Sequence, residues 1–327
     1  MFKKMILALT LVFGVNASAN ENKKLDKLIL GGPMASVSHP LIHMIETGAL
    51  NDVAEKVEFK LWKSPDELRA YTLRGGADFM AVPTNVAANL YNKEIEIKLL
   101  NVSIWGILNM LTRDKTKKTL KDFVGCEIAM PFRADMPDIV FEEVVKKQGL
   151  DPKKDFKFRY LSSPIDAMQM LILRRVDHAL LAEPATSIAL RKTGSFPLKL
   201  IAPDLYRGPD LQKEWGEAFK VESKIPEAGM AVLGDMIKNE YVIKRFNEEY
   251  AKSMAWYKAH PKEAGEMMVK TIPMLDADGV ADSIAHTQLN IVPAKEAQKD
   301  LETFYEILKS NNAKTIGGKL PDEGFYY

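Results

Sequence analysis

Four short stretches hold most of the side chains able to do chemistry. The first carries Met34, Ser36, Ser38 and His39 ahead of Pro40. The second places Thr84 and Asn85 after Pro83, the third Arg133, Asp135 and Met136 before Pro137, and the fourth Glu183 before Pro184. Each lies where a helix begins, and free N–H groups at a helix start suit an anion. Plain capping by Ser38 or His39 would satisfy the same groups, and Thr84 and Asn85 could cap or bind. Arg133 offers planar donors that match carboxylate, sulfonate or phosphate oxygens. It could equally pair with Asp135 or Glu183 and hold its own loop, and the sequence leaves both readings open. Two acids beside one Arg suit a ligand with both donors and acceptors, such as a zwitterion or an N-heterocycle. Trp62, Trp105 and Tyr160 are candidates for stacking on a flat or apolar ligand, or for core.

Other chemistries find less support. His39 and His43 are four apart with Glu46 a turn further, which is metal-compatible spacing, but the His-Glu-x-x-His pattern is missing and Pro40 interrupts. No metal is expected there. The chain has 16 Met, and Met34, Met130 and Met136 fall near the loops. Irregular core filling is the expected role, with a soft-metal site as the alternative. No Gly-x-Ser-x-Gly elbow, phosphate-binding Gly-Lys-Ser/Thr loop or Gly-x-Gly-x-x-Gly fingerprint occurs, so neither covalent catalysis nor a bound cofactor is expected. The single Cys126 opens an apolar strand and reads as a small buried residue; one Cys also excludes a disulfide framework.

The elements that must position these loops repeat. Leu28–Gly31, Val57–Trp62 and Asp78–Val82 read as strands, with helices opening at Pro40, after Ser64 and at Thr84. About a hundred residues on, Glu127–Met130, Phe156–Leu161 and Asp177–Ala182 read as strands, with helices at Pro137, after Ser163 and beyond Pro184. Short apolar strands alternating with helices imply parallel sheets covered on both faces, hence an α/β fold of two similar lobes. Ligands of such sheets sit beyond the carboxyl ends of the strands, where the four loops lie. The apolar runs in Lys98–Leu111 and Glu227–Leu233 are placed to carry the chain out and back. The rest reads as helical: Tyr241–Ala259, Pro261–Lys270, Ala277–Asn290 and Lys295–Ser310. A formal charge of +1 over 327 residues argues against nucleic acid as a partner. Lys3 and Lys4, an apolar stretch to Val15 and Ala17-Ser18-Ala19 form the pattern of an export signal cleaved after Ala19, about 11 apolar residues being too few to cross a bilayer.

Certain residues carry a family resemblance: Asp66-Glu67-Leu68 before Leu73–Phe79, Thr119–Gly125 before the second lobe, Val176-Asp177 to Glu183-Pro184, and Gly317–Asp322 with Phe325-Tyr326-Tyr327. On them the chain resembles the solute-binding proteins of ABC importers. The likeness is to the nitrate/sulfonate/taurine-type group, which includes binders of thiamine-precursor pyrimidines. The resemblance implies a type II periplasmic-binding-protein clamshell: two Rossmann-like lobes joined by two crossover strands, with C-terminal helices on the first lobe. It implies residues 20–110 and 231–327 in lobe 1 and 111–230 in lobe 2. It also implies a monomeric, non-enzymatic periplasmic protein that captures a small polar or anionic organic solute and hands it to an inner-membrane permease. A periplasmic enzyme, or a metal- or redox-related binder on the same fold, is the alternative. The chain departs from the family at Gly31–His39, which has no basic residue to clamp nitrate or sulfonate. Cys126 alone cannot supply the Cys-rich motif of a pyrimidine-synthase relative.

Overall fold

The computed structural model describes residues 24–202 and 204–327. Residues 1–19, expected to form an export signal, lie outside the described residues. Among them, no helix is long and apolar enough to cross a membrane.

Among the described residues, eleven strands form two sheets. The first contains β1 (Leu28–Gly32), β2 (Val57–Leu61), β3 (Phe79–Pro83), β4 (Ile97–Gly106), β10 (Ala228–Leu233) and β11 (Gln288–Pro293), in the order β11-β4-β10-β3-β1-β2. The second contains β5 (Leu108–Thr112), β6 (Glu127–Pro131), β7 (Lys157–Leu161), β8 (His178–Ala182) and β9 (Tyr206–Asp210), in the order β7-β6-β8-β5-β9.

The duplication read from the sequence is visible strand by strand. β2-β1-β3 is parallel, as is β7-β6-β8, each with the unit's first strand at its centre. The caps repeat too. Ser64 Oγ accepts the Glu67 N–H at 3.3 Å, and Ser163 Oγ accepts the Asp166 N–H at 3.2 Å. Both close the first turn of the helix that leads into the third strand.

The chain crosses between sheets twice. β4 ends on Gly106 and β5 starts on Leu108, so Ile107 is the outward crossing. The return follows the helix Leu211–Phe219 into β10. Both crossings come a few residues before the 110/111 and 230/231 boundaries, because β5 pairs with β8 and β9 while β10 pairs with β3 and β4. Apart from Gly106, nothing in the Lys98–Leu111 run marks the change of sheet.

One C-terminal expectation is corrected. The helix from Ala277 ends at Ile284, and Gln288–Pro293 is a strand antiparallel to β4. An unpaired edge on β4 would leave a row of backbone groups unsatisfied, and that demand overrides local helical pattern.

The lobes touch beside the cleft as well as through the crossovers. A Cβ on Gly279, in the helix Ala277–Ile284, would fall 2.5 Å from Ile188 in the helix Ala185–Gly194. Only glycine permits that approach. Arg191 and Asp282 form an ion pair at 2.9 Å on the same face, and Asn311 donates to Glu143 elsewhere between the lobes. Met80, Met110, Met130 and Met230 are fully buried on central strands, which accounts for part of the Met content as core.

Candidate functional site

The carboxyl ends of β1, β3, β6 and β8 face one cavity between the lobes, with a volume of about 110 Å³ and a mouth open to solvent. Of the residues singled out in the sequence, Met34, Trp62, Asp135, Met136 and Glu183 line it. Trp62 is held by its indole N–H, which donates to the Ala81 carbonyl at 3.3 Å. Most of the remaining wall is aliphatic, from both lobes: Val37, Leu68 and Val86 from the first, Ile165 and Leu108 from the second.

The second lobe contributes charge. Asp135 caps its helix by accepting the Met136 N–H at 2.9 Å, and its other oxygen lies 3.4 Å from Arg69 of the first lobe. Burial nevertheless pushes its carboxyl above the usual range. Glu183 is fully buried, 2.6 Å from Arg207, and accepts the Ser187 N–H at 3.0 Å. Burial raises its pKa as well, against the pull of Arg207.

Behind the first lobe's wall the groups are polar but uncharged. Ser36, Ser38, His39, Thr84 and Asn85 are all buried. His39 Nδ1 and the Tyr257 hydroxyl are 2.7 Å apart, and burial drives the imidazole pKa down to about 3, so the ring is neutral. Thr84 Oγ1 donates to the Pro226 carbonyl, tying its helix to the return crossover. Ser38 Oγ, His39 Nε2 and Asn85 Oδ1 have no hydrogen-bond partner among the described residues. His43 turns away from His39, sits 2.8 Å from Ser253 Oγ and stacks on Trp256. The two imidazoles therefore serve different partners.

Arg133, Tyr160 and Trp105, all expected at the site, lie elsewhere. Phe132 and Ala134 both take left-handed backbone, with φ of 60° and 58°. With the loop so turned, Phe132 lines the cavity, while Arg133 lies over the Tyr160 ring, 5.1 Å from its centre, outside the cavity. Trp105 donates its indole N–H to the Asn290 carbonyl at 2.8 Å and carries Lys224 on its face. It joins β4 to β11, a strand that the sequence reading had as helix.

One functional candidate was missed altogether. Glu227 lines the cavity from the return crossover, is 3% exposed, and accepts the Ile107 N–H at 3.2 Å. Gln212 Oε1 shares that N–H at 3.1 Å and also takes the Leu108 N–H at 3.0 Å. Burial, with Asp210 adding repulsion, pushes the Glu227 carboxyl up to about 8. The signal was present: an acid between Pro226 and an apolar strand, at a predicted crossover.

No protein-family model matches the sequence, and no curated protein does. Solved structures do match over nearly the whole chain. An ABC transporter protein from Parabacteroides distasonis superposes with a TM-score of 0.74 at 23% identity, over 92% of this chain and 99% of that one. The periplasmic nitrate-binding protein of Synechocystis gives 0.68 at 14%, over 92% and 87%. The periplasmic aliphatic sulphonate binding protein of Escherichia coli gives 0.64 at 14%, over 91% and 92%. At these identities the likeness establishes the fold, a type II periplasmic-binding-protein clamshell.

Proposed function

We propose that this protein is the solute-binding component of an ABC-type importer, exported across the inner membrane and working there as a monomer beside its permease. The observation that carries the reading is the cavity at the strand ends of both lobes, walled by residues from each. The fold shared with nitrate- and sulphonate-binding proteins supports it. A cavity formed only when two lobes meet couples occupancy to their relative position, which is what a permease needs to distinguish loaded from empty.

Binding without turnover belongs to the same proposal. Asp135 and Glu183 are engaged with Arg69 and Arg207, and His39 is held neutral against Tyr257. The test is mass spectrometry of small molecules released on denaturing the purified protein, followed by thermal unfolding with the released compounds added back. A solute that raises the melting temperature in proportion to the logarithm of its concentration and is recovered unchanged supports binding. Chemical conversion of that solute would overturn it in favour of an enzyme.

A further inference from the structure

We propose that the solute is an organic cation, an apolar or aromatic body bearing one basic nitrogen, and that Glu227 reads the nitrogen at the floor of the cavity. This deepens the solute-binding reading and rests on it. The charged side chains lining the cavity are Asp135, Glu183, Glu227 and Lys63, and Lys63 is exposed at the edge. Asp135 and Glu183 have their charge met by Arg69 and Arg207. Glu227 does not. Among the described residues no cation pairs with it, and its side chain accepts one hydrogen bond, from the Ile107 N–H.

The charge that acts on Glu227 is negative, and the cations on adjoining segments are engaged elsewhere. Asp210 acts on it from the end of β9. Lys224, three residues before it, binds Glu222 and Asp300 at 2.9 and 3.0 Å, and Arg207 is held by Glu183. A buried carboxyl facing a cavity without a counter-charge is costly when ionised. It therefore holds a proton until a cation arrives, consistent with its raised pKa. A solute with a basic nitrogen supplies the missing charge, and its hydrocarbon body covers the aliphatic wall. Trp62 and Phe132 add aromatic surface that favours a cation further. A nitrate or sulfonate in the same place would keep Glu227 protonated and meet no unpaired cation among the lining residues except Lys63 at the edge.

Three compounds sharing one skeleton separate the possibilities: benzylamine, benzyl alcohol and phenylmethanesulfonate. Titration calorimetry of the full chain is expected to rank benzylamine first. At about pH 7, in two buffers of different protonation enthalpy, benzylamine should displace about one proton as Glu227 ionises. Glu227→Gln should weaken benzylamine on the order of 30-fold while leaving benzyl alcohol nearly unchanged. The wild-type ranking needs no variant, so a Glu227→Gln chain that misfolds does not remove the test. Tighter binding of phenylmethanesulfonate, or equal binding of benzyl alcohol without proton release, overturns the inference and leaves the solute-binding reading standing. If none of the three binds and the purified protein yields no small molecule, both fall.

Discussion

The two halves of the cavity are built from the same supersecondary unit and solve burial in opposite ways. After the third strand of the first unit stands Thr84, whose hydroxyl donates to the Pro226 carbonyl. At the same point in the second stands Glu183, whose carboxylate is sealed against Arg207. After the first strands, one unit has Ser36, Ser38 and a neutral His39; the other has Asp135 reaching to Arg69. One backbone plan thus places neutral polar groups behind one wall of the cavity and Arg-paired carboxyl groups on the other. The difference teaches that the duplicated fold fixes where side chains arrive, while the charge state of each wall depends on partners from other elements. Arg69 and Arg207 come from a helix and a strand outside the four loops.

The largest test of this contrast replaces the matched residues. Glu183→Ala strands Arg207 with its counter-charge gone and should cost about 3 kcal/mol in denaturant unfolding. Thr84→Val loses one neutral hydrogen bond and should cost about 1 kcal/mol. Equal losses would erase the distinction between the walls.

Acid separates the walls next. His39 is neutral in the fold, with its pKa near 3 against an ordinary 6.5, so the unfolded chain takes the proton first. Stability should fall as pH drops below the ordinary value, by about 2 kcal/mol at about pH 5. Asp135 and Glu183 have raised pKa values, so the folded protein binds their protons more readily than the unfolded chain, and acidification eases their burial. Urea unfolding across this range should show the loss in the parent and a flatter profile in His39→Gln. A variant as acid-sensitive as the parent would place the sensitivity outside the first wall.

The smallest effect belongs to Arg133→Ala. With its guanidinium over Tyr160 and away from the cavity, its loss should change stability by about 0.5 kcal/mol and leave solute affinity as it was. A fall in affinity on calorimetry would return Arg133 to the second lobe's wall.

Much of this was legible in the sequence because it depends on short-range rules. Ser64 and Ser163 cap as their spacing implies, and prolines open helices at Pro40, Pro65, Pro137 and Pro164. Strand ends then bring Met34, Trp62, Asp135, Met136 and Glu183 to one place. What could not be read depends on contacts distant along the chain. Arg133 sits apart from the cavity in a loop where Phe132 and Ala134 adopt a left-handed backbone that no glycine announced. Trp105 is held by Asn290, 185 positions away, on a strand formed because β4 had an open edge. Nothing in the sequence pairs Arg69 with Asp135 or Arg207 with Glu183; tertiary structure supplies those partners.

The outward crossing at Ile107 sets a mechanical condition on whatever binds. Any turning of one lobe against the other about the crossovers displaces atoms in proportion to their distance from that pivot. Gly279 with Ile188, and Arg191 with Asp282, lie away from it and would have to part. Glu227, bonded to the Ile107 N–H, lies at that crossing, where such a turn would displace it least. A solute gripped there stays gripped through the whole swing, and the torque that shuts the lobes comes from their outer contacts. Affinity and closure thus answer to different residues, and each can be changed with little effect on the other.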